Sequence, residues 1–341
     1  MVVVVTGASA GVGRAVVGAF GARKAYVGLL ARGADCLAGA QRDVEVAGGR
    51  ALAIPTDVAD ATAVDRAADA FERAFGPIDV WINCAMVSVL SPIKEMTADE
   101  FRRVTEVTYL GYVNGTLAAL RRMLPRNRGT IVQVGSALAF RGIPLQAAYC
   151  AAKHAIQGFT DSLRTELLHD RSAVRVVSVH MPALNTPQFE WMKTRMPRKP
   201  QPVPPIYQPE LAADAVLWAV DHDDPEIWVG SSTVLTILGD RVVPRVVDRH
   251  LARKGYGAQQ HDGLVEPDRE DNLWQPVGGD HGAHGAFDAR ARTRSLQFSL
   301  WKRRRWVALA AGVLGAAMTM RRRIRPGNRD ASDSTEYSGA A

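Results

Sequence analysis

V-V-V-V-T-G-A-S-A-G-V-G, residues Val2 to Gly13, decides the fold. Four β-branched residues in a row read as a strand buried on both faces, as parallel sheets require. Thr6 and Gly7 end that run, and Gly7, Gly11 and Gly13 then open a helix. Glycines in this context let the backbone approach a pyrophosphate, and a helix N-terminus favours its negative charge. Ser9, Ala10 and Val12, between the glycines, are expected to contact the same ligand. A tight strand-to-helix turn without a ligand is the competing reading of this stretch taken alone.

Further apolar runs alternate with Gly/Ala-rich helical stretches. Strands are expected at Val2–Val5, Tyr26–Ala31, Ala51–Pro55, Val80–Asn83, Thr130–Val134, Val174–His180 and Ile227–Val229. This alternation predicts an α/β fold: a doubly wound, Rossmann-type parallel sheet with helices on both faces. The second strand ends L-L-A-R-G, with Arg32 where an acid would bind an adenine ribose. A guanidinium suits a 2′-phosphate, so NADP is expected, with NAD as the alternative. A solvent-exposed arginine is the bland reading.

Tyr149 and Lys153 stand one helical turn apart, thirteen and seventeen residues after Ser136. A free tyrosine titrates near pH ~10, too high for acid–base work near neutrality. A lysine four residues on shares its helix face and stabilises the phenolate. A serine at a neighbouring strand end would hold a carbonyl or alcohol oxygen beside that phenol. Separately, each reads as a core tyrosine or a surface lysine; the conjunction points to hydride transfer at a carbinol carbon.

The stretch Thr6–Gly13, then N-C-A (Asn83–Ala85), Ser136, Y-C-A-A-K (Tyr149–Lys153) and P-A-L-N-T-P (Pro182–Pro187) resembles the short-chain dehydrogenase/reductase family over roughly residues 1 to 230. The resemblance implies that Tyr149 is the general acid–base, that Ser136 positions the substrate oxygen, and that Lys153 binds the nicotinamide ribose and lowers the tyrosine pKa. It also implies cofactor contacts from Asp57, Val58, Asn83, Ala85, Pro182 and Thr186. Two departures stand out. Thr108 occupies the place of an asparagine that helps hold a water in a proton relay to the lysine, and is expected to offer its hydroxyl instead. Cys84 and Met86 replace the second asparagine and the glycine of N-N-A-G. The family's habit of pairing two long helices, here Thr97–Leu124 and Ala147–Asp170, implies a homodimer or tetramer.

A substrate wall is expected from Leu138, Phe140, Pro144, Gln146, Phe189 and Trp191, mostly apolar, which suits an apolar alcohol or ketone. The proline cluster at 196–209 cannot be helix interior and is expected beside the substrate mouth. His281 and His284 lack a third ligand and read as a polar loop, so no metal is expected.

The chain has 341 residues, 47% hydrophobic and 23% charged, and a net charge of +7. Residues 291–341 hold eleven basic and three acidic residues, so the other 290 carry a net −1. The basic character belongs to the tail, which argues against a nucleic-acid-binding face. Cys36, Cys84 and Cys150 show no disulfide or zinc spacing. The expected organisation is a catalytic domain at 1–255, a polar and mostly irregular linker at 256–300, an apolar helix at 301–325 and a disordered tail at 326–341. Trp306–Met320 is free of charge and lies between Arg303–Arg305 and Arg321–Arg323. That pattern predicts a transmembrane or one-leaflet anchor on a membrane surface, with the catalytic domain in the cytoplasm. The rival to an enzyme is a non-catalytic nucleotide-binding or scaffold protein on the same fold.

Overall fold

The computed structural model describes residues 1–304. Residues Met1–Leu296 form one compact unit, and a second begins at Gln297. The expected anchor run, Trp306–Met320, lies outside the described residues, as do the tail and most of the predicted 301–325 helix. Among the described residues, no helix is long and apolar enough to cross a membrane.

Seven parallel strands form the central sheet: β1 (Val2–Thr6), β2 (Tyr26–Ala31), β3 (Arg50–Pro55), β4 (Val80–Asn83), β5 (Gly129–Ser136), β6 (Val174–Met181) and β7 (Glu226–Trp228). Their order across the sheet is β7-β6-β5-β4-β1-β2-β3. All five residues of β1 and all four of β4 are buried. Helices on both faces make that possible: α1 (Gly11–Ala22), α2 (Ala34–Val46), α3 (Ala61–Phe75), α4 (Ala98–Thr105), α5 (Gly111–Met123), α6 (Ala147–His169), the one-turn α7 (Gln188–Trp191), α8 (Pro209–Asp221), α9 (Ser231–Val242) and α10 (Pro244–Ala258). Trp81, Phe71, Ile78 and Met123 are fully buried in the core on one side.

Local signals set the helix starts. Asp60 accepts from the Thr62 and Ala63 amides, and Thr97 with Glu100 forms a reciprocal capping box at α4. Between α4 and α5 the helix widens into a π turn, Glu106–Leu110. The chain leaves β1 towards β2 and β3, then crosses back to β4 on the other side. The crevice at the carboxyl ends of β1 and β4 is where a ligand binds in such sheets.

The segment at 256–296, expected as a polar and mostly irregular linker, has little regular structure and packs on the body. Gln260–Leu264 pairs antiparallel with Arg198–Pro200 out of the proline cluster. Leu273, Phe287 and Ser295 are buried. Its few apolar residues dock on the body, which composition averaged over the segment conceals.

Candidate active site

The glycine turn sits at the crevice. Gly7 has φ +70°, and a Cβ there would stand 2.7 Å from the Ala85 Cα. A Cβ on Gly13 would lie 2.0 Å from the Gly7 carbonyl oxygen. Only glycine lets β1, α1 and the end of β4 meet this closely. Ser9 through Gly13 line a cavity of about 530 Å³ that runs on to Ser136, Tyr149 and Lys153. The α1 N-terminus, the glycine cradle and the strand-end Arg32 form a donor set that fits a dinucleotide, with the Gly11 amide and Arg32 here meeting carbonyls of residues 272–282.

At the floor of the cavity the expected cluster assembles. Ser136 ends β5, where its hydroxyl accepts from the Leu138 amide at 3.1 Å. The Tyr149 phenol lies close enough to Ser136 for the serine hydroxyl to bear on its ionisation. Burial pushes the Tyr149 pKa above its ordinary value, and the Ser136 contact opposes that. Lys153 is buried, and burial lowers its pKa to about 8. Its Nζ donates to the Val134 carbonyl at 2.8 Å and to the Tyr112 hydroxyl at 3.0 Å. It lies 5.7 Å from the centre of the Tyr149 ring. Buried Cys84 nearby has its thiol pushed up to about 11.

Two expected residues take other roles. Thr108 does not reach Lys153. Its hydroxyl accepts from the Val87 amide at 3.1 Å and donates to the Val87 carbonyl at 2.9 Å. It therefore holds the loop after β4, and its one proton is already committed. Asn83 does not face the cavity. It is fully buried, accepts from the Trp81 indole and donates to Thr116, Gln133 and the Tyr112 carbonyl. Tyr112 was not anticipated. Its hydroxyl donates to the Val134 carbonyl at 2.9 Å beside Lys153. It lies 41 residues from Lys153 in sequence, so no local pattern points to the pair.

The end of the cavity at β2 is closed by a distant segment. Arg32 is not free at its strand end. It donates to the carbonyls of Asn272, Leu273 and Trp274 at 2.5, 3.3 and 3.0 Å. Asp57 pairs with Arg103 at 2.5 Å, and Arg103 also donates to the Leu273 carbonyl. The strap continues: Asp280 pairs with Arg14 at 2.9 Å, Gly279 accepts from the Cys36 thiol, and Gly282 accepts from the Gly11 amide. Asn272, Pro276, Val277 and His281 thereby join Asp57, Val58 and Arg32 in lining the cavity. His284 is bonded to Glu210 and Asp288.

Ala85, Met86, Pro182 and Thr186 line the cavity. Asn185, in the same loop as Thr186, is fully buried and bonded to Gln208, Asp288 and the Phe287 amide. Of the expected substrate wall, Leu138, Gln146, Phe189 and Trp191 line the cavity, joined by Ile143, Met192 and Val247. Phe140 packs edge-on to His180 at 4.7 Å instead, and Pro144 packs against Gly255. Both lie where the chain turns from β5 into α6, and spacing alone does not reveal on which side of that turn each falls.

Comparison with known proteins gives a consistent picture. The "Uncharacterized oxidoreductase YxnA" of Bacillus subtilis is 29% identical over 304 residues, 89% of this chain and 85% of that protein. The "Putative oxidoreductase SadH" of Mycobacterium tuberculosis is 34% identical over 54% of this chain and 67% of its own length. A metagenomic short-chain oxidoreductase solved in complex with NADP superimposes with a TM-score of 0.57 at 27% identity, over 67% of this chain and 96% of that one. Residues 1–196 match the short chain dehydrogenase family as a whole. With the glycine turn, the parallel sheet and the Ser136–Tyr149–Lys153 floor in place, this chain belongs to the short chain dehydrogenase family and is a nicotinamide-dependent oxidoreductase.

Proposed function

We propose that the protein moves hydride between NADP(H) and the carbinol or carbonyl carbon of an apolar alcohol or ketone, with Tyr149 as general acid–base. One observation carries this reading: Ser136, Tyr149 and Lys153 converge on the cavity that the glycine turn opens. Bound there, the nicotinamide supplies or accepts the hydride. In oxidation the Tyr149 phenolate takes the hydroxyl proton, Ser136 holds the oxygen, and the Lys153 ammonium lowers the cost of the phenolate. In reduction Tyr149 returns the proton to the oxygen. Leu138, Ile143, Phe189 and Met192 favour an apolar substrate and exclude water from the reacting oxygen.

The NADP preference is supported by Arg32, which places a guanidinium at the end of β2 with no acid next to it in sequence; Asp57 lies near it but is paired with Arg103. A 2′-phosphate would share or displace its carbonyl partners at 272–274; the phosphate's charge makes it the stronger acceptor. Assembly through the two long helices is supported by Leu110, Leu117, Leu124 and Leu168, all exposed in the monomer. Attachment to a membrane surface through Trp306–Met320 is supported by sequence alone. Sedimentation of the full chain with membranes at high salt is its test, since apolar burial resists screening.

A nicotinamide absorbance assay of apolar alcohols and ketones with both cofactors tests the main reading. Turnover that requires Tyr149 supports it. Binding of either dinucleotide without turnover of any substrate would favour the non-catalytic alternative.

A further inference from the structure

We propose that Tyr112 is the positioning residue of Lys153, holding the ammonium in place with its phenolic oxygen. The inference rests on the oxidoreductase reading above. Three observations support it. The Tyr112 hydroxyl accepts from Lys153 Nζ at 3.0 Å and donates to the Val134 carbonyl at 2.9 Å, while Nζ donates to that same carbonyl at 2.8 Å. Lysine, phenol and carbonyl thus close a triangle. Second, Thr108 is unable to serve the lysine, because its hydroxyl is committed to the Val87 amide and carbonyl. Tyr112 stands one turn further on, just past the π turn at Glu106–Leu110 that sets the phase of α5. Third, among the described residues the groups that bear on this cluster are Cys84, Cys150, Tyr112 and Tyr149, with no carboxylate among them. The charge of Lys153 is therefore met by neutral oxygens alone.

Of the three ammonium N–H bonds, two are engaged by Val134 and Tyr112, leaving one for a ribose hydroxyl. The phenolic oxygen favours the charged form of Lys153, since a hydrogen bond to the charged state stabilises it. That charge in turn lowers the pKa of Tyr149. Tyr112 acts on the chemistry only through the lysine.

The test is Tyr112→Phe in the full chain, which keeps the ring and its packing and removes the oxygen. Without its acceptor, Lys153 loses its proton more easily. The transition in NADPH affinity that follows its ionisation, read by fluorescence, should move to lower pH. Tyr149 should then ionise less readily, so the acid limb of alcohol oxidation should move to higher pH by roughly one unit. Turnover at neutral pH should fall on the order of ten-fold. Opposite movement of the two transitions is a signature that lost packing does not produce. Thr108→Val, which loosens the loop after β4, should leave both transitions in place.

Unmoved transitions in Tyr112→Phe with a normal melting curve would overturn the proposal, as would a limb that moves in Thr108→Val and not in Tyr112→Phe. A melting curve showing Tyr112→Phe to be unfolded would mean that the hydroxyl is needed for folding, and that too would overturn a role confined to the lysine. Absence of dinucleotide binding by the unmodified protein, or full activity of Tyr149→Phe, would instead bring down the oxidoreductase reading itself.

Discussion

The floor of the cavity and the strap over its β2 end are built on opposite plans. The floor takes Ser136, Tyr149 and Lys153 from a strand end and the helix that follows, within eighteen residues of chain. Regular elements hold them, and the ammonium is buried against neutral oxygens. The strap reaches Arg32 from some 240 residues away, with little regular structure, through carbonyls and ion pairs. One of its anchors is apolar: Leu273 is fully buried. Groups that must hold a geometry near the limit of a hydrogen bond stand on rigid elements. A cover needs only enough weak links to close, and irregular chain supplies those.

The largest expected effect tests whether the floor is catalytic at all. Tyr149→Phe should lower turnover on the order of 10²–10⁴-fold while dinucleotide binding, read by fluorescence, persists. Near-full turnover would make the floor as passive as the strap.

Lys153→Met sharpens the contrast in energy. The variant should lose activity yet melt at a higher temperature, by roughly 1–3 kcal/mol of stability at neutral pH. The Tyr112 hydroxyl keeps its bond to the Val134 carbonyl, so no buried acceptor is stranded. The sign in pH follows from a folded pKa lowered to about 8 from the ordinary 10.5. Below pH 8 the native state carries the full penalty of a buried charge. The penalty fades as pH rises to 10.5, and the gain in the variant should fade with it. Equal melting of the two proteins across that range would mean that the charge is better solvated than its burial implies.

Leu273→Ala should release the strap. A buried leucine truncated to alanine costs about 2–5 kcal/mol, here borne by a segment with few other apolar contacts. Faster dinucleotide release in stopped flow, on the order of ten-fold, is expected, together with proteolytic nicking near residues 270–285. A release rate equal to that of the unmodified protein would show that the strap does not gate exchange.

Asp280→Asn should have the smallest effect. Its carboxylate is 34% exposed and meets Arg14 and Arg42, so about 0.5–1 kcal/mol is expected, shrinking with salt. The hydrogen bond from Arg14 is the chief reason that its pKa lies below the ordinary carboxylate value. The contribution is therefore present at neutral pH and lost only as pH falls through that depressed value. A drop in strap protection already at pH 6, measured by hydrogen exchange, would point to another group.

Legibility follows the same division. The seven strands, the glycine turn and the Ser136–Tyr149–Lys153 spacing were readable because each is a short-range pattern with one geometric meaning. Asn83 was misplaced because a residue at a strand end faces either the crevice or the core. A network with Trp81, Thr116 and Gln133 decides for the core. Thr108 was read by analogy with a longer side chain, and its hydroxyl stops at Val87. Tyr112 had no sequence signal: its pairing with Lys153 depends on the π turn and on the packing of α5 against β5.

By itself the amino-acid sequence determined the sheet, the dinucleotide turn and the phenol–lysine pair, because strand burial, glycine conformation and helical periodicity act over a few residues. Tertiary structure alone decided which oxygen meets Lys153, which acceptors meet Arg32, and what closes the β2 end of the cavity. Those are contacts between segments 40 to 240 residues apart, where a side chain's partner is set by packing and not by its neighbours in sequence.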